Sequence, residues 1–111
     1  MEIVYIAGKY RDEFPFEIQQ NIDKAKEIAK IVWASGHVAL CPHLNSAHFE
    51  GLNTEQHFIT GTLALMRRCD SVLLVPGWET SEGTKGEIED ALKREIPVYL
   101  NVEEWLKAIN K

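Results

Sequence analysis

Four short apolar runs, Glu2–Ala7 (EIVYIA), His37–Cys41 (HVALC), Ser71–Val75 (SVLLV) and Pro97–Leu100 (PVYL), recur along the chain with longer, polar-faced segments between them. Runs of this length that are rich in β-branched residues and bounded by Gly or Pro read as buried strands. None is long enough to cross a bilayer. The intervening segments have a different period. After Pro15, the residues Ile18, Ile22, Ala25, Ile28, Ala29, Val32 and Trp33 recur at spacings of three and four, an amphipathic helix that Ser35-Gly36 stops. His57–Arg68 predicts a second helix, Gly86–Arg94 a third and Val102–Ile109 a last one, whereas residues 43–56 lack a period and read as a loop with at most one helical turn. Trp33 and Trp105 fall on helical stripes and are expected in the core. Strands that alternate with helices predict a parallel sheet covered on both faces, joined by right-handed crossovers. The third run is the most hydrophobic and belongs near the centre of that sheet.

A length of 111 residues fits one domain, spanning residues 1–111, with enough core to need no disulfide or metal staple. The composition, 45% hydrophobic and 26% charged, excludes disorder and fibrous repeats. Twelve basic against seventeen acidic residues leave a net charge of −5, which argues against any long nucleic acid or anionic membrane as a partner. A small anion held in one local pocket stays open. Cys41 and Cys69 form no CxxC pair, and no basic segment followed by an apolar one opens the sequence, so the expected setting is the cytoplasm with both thiols reduced.

In parallel sheets of this kind ligands sit beyond the carboxyl ends of the strands, where the strand order reverses. Three loops occupy that position, and they hold three of the chain's seven glycines. After the first strand come Gly8, Lys9, Tyr10 and Arg11. Gly8 admits close backbone approach and the two cations suit a phosphate or carboxylate, although a tight turn with solvated charges explains the same residues. After the second strand come His43 and Asn45, polar candidates for a ligand. After the third, Trp78 offers either a stacking platform for a base or an apolar lid, and Ser81, Gly83 and Thr84 precede a helix whose first N–H groups attract anions. Two anion-friendly loops on neighbouring strands point to a phosphate site.

Glu87 has two readings. Thr84-Lys85-Gly86-Glu87 has capping-box spacing, which would bond the carboxylate back to the Thr84 N–H. The same carboxylate stands at the mouth of the crevice, where a nucleophile or general base is needed. His43, His48 and His57 have no HExxH or CxxC companion, so neither a metal nor another cofactor is expected.

The series Tyr5-Ile6-Ala7-Gly8-Lys9-Tyr10-Arg11, Cys41-Pro42-His43-Leu44-Asn45, Arg67-Arg68-Cys69-Asp70-Ser71 and Pro76-Gly77-Trp78 with Ser81-Glu82-Gly83 and Glu87 resembles the nucleoside 2-deoxyribosyltransferase superfamily. Within it, the chain is most similar to small members of the DUF4406 family. A looser likeness, through Pro76-Gly77 and Gly83-Thr84 to Glu87, is to the cytokinin-activating phosphoribohydrolases. The resemblance implies a flavodoxin-like or Rossmann-like three-layer domain with four or five parallel strands. It further implies cleavage of an N-glycosidic bond, by hydrolysis or transfer, with Glu87 as nucleophile and Tyr5 orienting it. Gly8 with Arg11, and Ser81 six residues before Glu87, match the 2′-deoxynucleoside 5′-phosphate N-hydrolase branch and favour a monophosphate ligand. One departure stands out: Thr62 occupies the place of the family's acidic residue that handles the leaving base. Protonation must then come from elsewhere, as from His43, or the chain is a non-catalytic nucleotide-binding module. Relatives of this kind form homodimers or larger homo-oligomers, and the same is expected here.

Overall fold

Alternation along the first strand decides how the molecule is layered. In β1 (Ile3–Ala7), Val4 and Ile6 face one way, Tyr5 and Ala7 the other, and all four are buried. A strand buried on both sides belongs inside a sheet with helices on each face. The computed structural model, which describes residues 1–110, shows that arrangement: β1, β2 (Val38–Leu40), β3 (Ser71–Leu74) and β4 (Val98–Tyr99) form one parallel sheet in the order β2-β1-β3-β4. The chain steps outward from β1 to β2 and then returns to the other side of β1, so the order reverses between β1 and β3.

Helix α1 (Pro15–Ala34) covers one face, packing Ala25, Ala29 and Val32 on Val4, Ile6, Leu73 and Val75, with Trp105 of α5 (Val102–Ile109) beside them. The opposite face carries α3 (Glu55–Met66) and α4 (Glu82–Lys93), whose Met66 and Ala91 pack on Tyr5, Ala7, Val72 and Leu74. Arg67 at the end of α3 grips Asp90 of α4 through two hydrogen bonds of 2.8 and 3.0 Å, which sets the two helices side by side. At the amino edge, Asp70 accepts the N–H of Ile3 at 2.7 Å, a structural task away from the strand ends where ligands bind. No helix among the described residues is long and apolar enough to cross a membrane.

The structure differs from the sequence reading at several boundaries. A single helical turn, α2 (Pro42–Asn45), follows β2 directly, so Cys41 caps that turn instead of ending the strand. Helix α3 starts at Glu55 because the Thr54 hydroxyl accepts the N–H of His57, and a hydroxyl cap outweighs the missing apolar period there. Helix α4 begins four residues before Gly86 for the same reason: Ser81, not Thr84, is its N-cap. Trp33 is 58% exposed whereas Trp105 is fully buried. Ala29 and Val32 take the sheet-facing line of α1, and Trp33, one position on, is rotated to the flank beside the open edge of β2.

Candidate active site

Glu87 lies on the buried stripe of α4, three residues from Thr84 and four from Ala91, both wholly buried against the sheet. That placement answers the question its spacing left open. Ser81 Oγ accepts the Thr84 N–H at 3.2 Å and the Thr84 hydroxyl at 2.9 Å, so the cap is complete without Glu87 and the predicted Thr84–Glu87 capping box does not form. The Glu87 carboxylate instead receives a short hydrogen bond from the Tyr5 hydroxyl, which reaches it from the same face of β1. Thr62 of α3 stands within hydrogen-bond reach of that hydroxyl, and its own hydroxyl donates to the Ile59 carbonyl at 3.0 Å.

The electrostatics follow from burial. Desolvation pushes the Glu87 carboxyl up to about 7, with the Tyr5 hydrogen bond pulling it back, and no cation pairs with it among the described residues. The Tyr5 phenol is driven far above its usual range, first by burial and then by the neighbouring carboxylate. Tyr5 is therefore a permanent donor, and Glu87 a carboxylate poised between charged and neutral forms near pH 7. A group with that balance can serve as nucleophile or base.

The loop after β1 is built differently, because its polar groups are met from within. Lys9 reaches Asp12 at 3.4 Å and Arg11 reaches Glu55 at 3.2 Å. The Tyr10 hydroxyl donates to Glu50 and accepts the His48 N–H at 2.9 Å. His43, buried in α2, lies edge-on to Tyr10 and contacts the Lys9 carbonyl through Nε2 at 3.0 Å. A carbonyl only accepts, so Nε2 carries the proton and Nδ1 is left buried without a partner. Burial holds this imidazole below its usual pKa against the opposing pull of the Lys9 and Gly8 carbonyls. His43 thus pins the loop, and no hydrogen bond joins it to Tyr5, Thr62 or Glu87 among the described residues.

Gly8 has a packing reason. A Cβ there would sit 2.7 Å from Val75 Cβ, so only glycine lets the end of β1 close on the end of β3. Gly83, in contrast, is exposed, and an added Cβ would meet only Ser81 Oγ at 3.9 Å. Trp78, half-buried in a 3-10 turn (Trp78–Thr80), packs against the cluster that contains Tyr5. Asn45 is exposed at the end of α2 and lines a groove of about 450 Å³ along the edge of β2 with Trp33 and Leu44, apart from Tyr5 and Glu87. No hydrogen bond joins Arg11 to Ser81 among the described residues, Arg11 being paired with Glu55 and Ser81 with Thr84.

A second cavity, about 160 Å³, lies at the reversal point and is lined by Lys9, Asp12, Asn21, Lys24, Gly77 and Thr80. Of these, only Lys9 is among the sequence-based candidates, and Asn21 and Lys24 come from a helix, α1, that supplied none. Each neighbours a stripe residue of α1, Ile22 and Ala25, and that adjacency is the signal a helical projection offers. Among the described residues no three His, Cys, Asp or Glu side chains gather as a metal site.

The family described as a domain of unknown function (DUF7768) matches residues 2–101. No curated protein matches the sequence. Among solved structures, a 2-deoxyribosyltransferase from the psychrotolerant bacterium Bacillus psychrosaccharolyticus is similar, with a TM-score of 0.61 at 17% identity over 86% of this chain and 69% of its own. The likeness is one of fold, a flavodoxin-like α/β domain around a parallel sheet.

Proposed function

The chain belongs to the DUF7768 family, and we propose that it cleaves the N-glycosidic bond of a nucleoside 5′-monophosphate or a close analogue, as a hydrolase or deoxyribosyltransferase. Glu87 is the nucleophile and Tyr5 holds it. The observation that carries this reading is the Tyr5–Glu87 pair itself, a carboxylate on a core stripe with no cation to neutralise it. A half-buried carboxyl with one hydrogen-bond donor and no cation to offset its desolvation opposes stability, and such groups cluster at functional sites. Breaking a glycosidic bond develops positive charge at the anomeric carbon, which a carboxylate at this position stabilises or captures. Lys9 and Arg11 are the cations nearest in sequence to β1 for holding a phosphate, in exchange for their present partners Asp12 and Glu55. The similar fold of a 2-deoxyribosyltransferase, and the motif likeness to DUF4406 and to the N-hydrolase branch, support the same chemistry.

The test is chromatography for free base released from a panel of nucleoside and deoxynucleoside monophosphates. Release by the wild type and its loss in Glu87→Gln are expected. Equal release by both proteins sinks the assignment of Glu87. A second reading, a non-catalytic nucleotide-binding module, is favoured by one observation: Thr62, the hydroxyl that α3 brings to Tyr5, has no acidic proton to give. Saturable nucleotide binding without base release in single-turnover mixtures selects that reading.

A further inference from the structure

Resting on the glycosidase reading, we propose that the substrates of this site are N-glycosides whose base is already cationic, such as a pyridinium or an N-alkylated purinium. The ground is the set of groups around the reacting carboxylate. The Tyr5 hydroxyl donates to Glu87 itself, the Thr62 hydroxyl donates to the Ile59 carbonyl, and the Cys69 thiol donates to the Leu65 carbonyl at 3.4 Å. His43 is committed to the Lys9 carbonyl, Lys9 to Asp12, and Glu50 to Tyr10. Among the described residues no other titratable side chain is hydrogen-bonded or ion-paired to Tyr5 or Glu87, and the donors named here are aimed at other partners.

That absence matters for one class of leaving group and not for another. A neutral purine or pyrimidine departs with an extra electron pair on its ring nitrogen and needs a proton, and a positioned acid contributes about 10²- to 10⁴-fold. A base with a formal positive charge needs none. The Glu87 carboxylate attacks the anomeric carbon, the carbon–nitrogen bond breaks, and its electron pair neutralises the ring, which leaves as the neutral base. Water then attacks the glycosyl ester, the carbon–oxygen bond breaks, its electron pair returns to the Glu87 carboxylate, and one proton passes to solvent.

Three further features suit a cation at this place. Glu87 has no positive partner of its own, so a cationic ring beside it would both be attracted and hold the carboxylate in its charged, nucleophilic form. Trp78, half-buried and packed on the cluster that contains Tyr5, is an aromatic side chain near enough to this face for a positive ring to meet. The chain as a whole carries a net charge of −5.

The experiment compares guanosine 5′-monophosphate with 7-methylguanosine 5′-monophosphate, which differ by one methyl group and one charge, and adds nicotinamide mononucleotide as a pyridinium. Each rate is divided by the spontaneous rate of the same compound, with Glu87→Gln as control. Expected is an acceleration over the spontaneous reaction at least about 100-fold greater for a cationic probe than for guanosine 5′-monophosphate, lost in Glu87→Gln. Equal acceleration, or acceleration of the neutral nucleotide alone, overturns the inference and leaves the glycosidase reading standing. No acceleration of any probe overturns both.

Discussion

The two faces of the β1 end handle charge in opposite ways. On the α3/α4 face, Glu87 is drawn into the protein with a tyrosine for company and no cation, and its carboxyl is pushed up to about 7. Around the loop after β1, both cations and the tyrosine have internal partners: Lys9 with Asp12, Arg11 with Glu55 and Tyr10 with Glu50, while His43 of α2 holds a backbone carbonyl of the loop through Nε2. The first arrangement opposes stability, as the proposed role of Glu87 as nucleophile would require. The second engages both of its cations with internal carboxylates and must open before it grips an anion. A site can therefore be recognised by the group whose needs the fold leaves unmet, more surely than by the density of charged residues.

Replacing the unmet group tests this contrast most severely. Glu87→Gln is expected to lower base release at least about a thousandfold. The same change should raise stability at pH 8. A carboxyl with a raised folded-state value holds a proton that the unfolded chain has already released, so native stability falls as pH rises from the ordinary carboxyl range through about 7. Removing the group recovers up to about 3 kcal/mol above that range and little at pH 4, read from denaturant midpoints at the two pH values. A variant less stable at pH 8 would show that the carboxylate is satisfied after all.

Tyr5→Phe sharpens the same face. Without its donor Glu87 should ionise later, moving the acid limb of the pH–rate profile above 7 and lowering the rate at pH 7 by roughly 10-fold. An unmoved limb would detach Tyr5 from the carboxylate. On the loop side, Gly8→Ala places a methyl group against Val75 and should cost about 1–3 kcal/mol in thermal or denaturant unfolding. The smallest effect is expected from Glu55→Gln. Its pairing with Arg11 is exposed and contributes under about 1 kcal/mol, so stability should hardly change. Freeing Arg11 should lower KM for a monophosphate a few-fold with kcat constant. A raised KM would mean that Glu55 positions Arg11 for the ligand instead of competing with it.

Much of this was legible in the residue order. Strand–helix alternation and the switch between the first and third strands stand in the sequence, and the nearness of Tyr5 to Glu87 was implied by the family resemblance. The cap of α4 illustrates where legibility ends. Ser81 and Thr84 are both acceptable N-caps; with Ser81 in that role Thr84 lies inside the helix with its N–H already met, and Glu87 pairs with Tyr5 instead of the Thr84 N–H. Trp33 fails for a related reason, since a stripe wide enough for three apolar positions does not say which of them meets the sheet. The counter-charges Glu50 and Glu55 come from a stretch without period, where spacing carries no information on distance.

By itself, then, the sequence determined a parallel sheet with its carboxyl-end loops, because side-chain period and chain connectivity are local properties that few topologies satisfy. Only the tertiary structure decided that Glu87 belongs to Tyr5, that His43 pins a loop, and that Arg11 answers to Glu55. Those pairings depend on the rotation of helices about their axes and on the path of loops, and both are settled by packing between residues far apart in the chain.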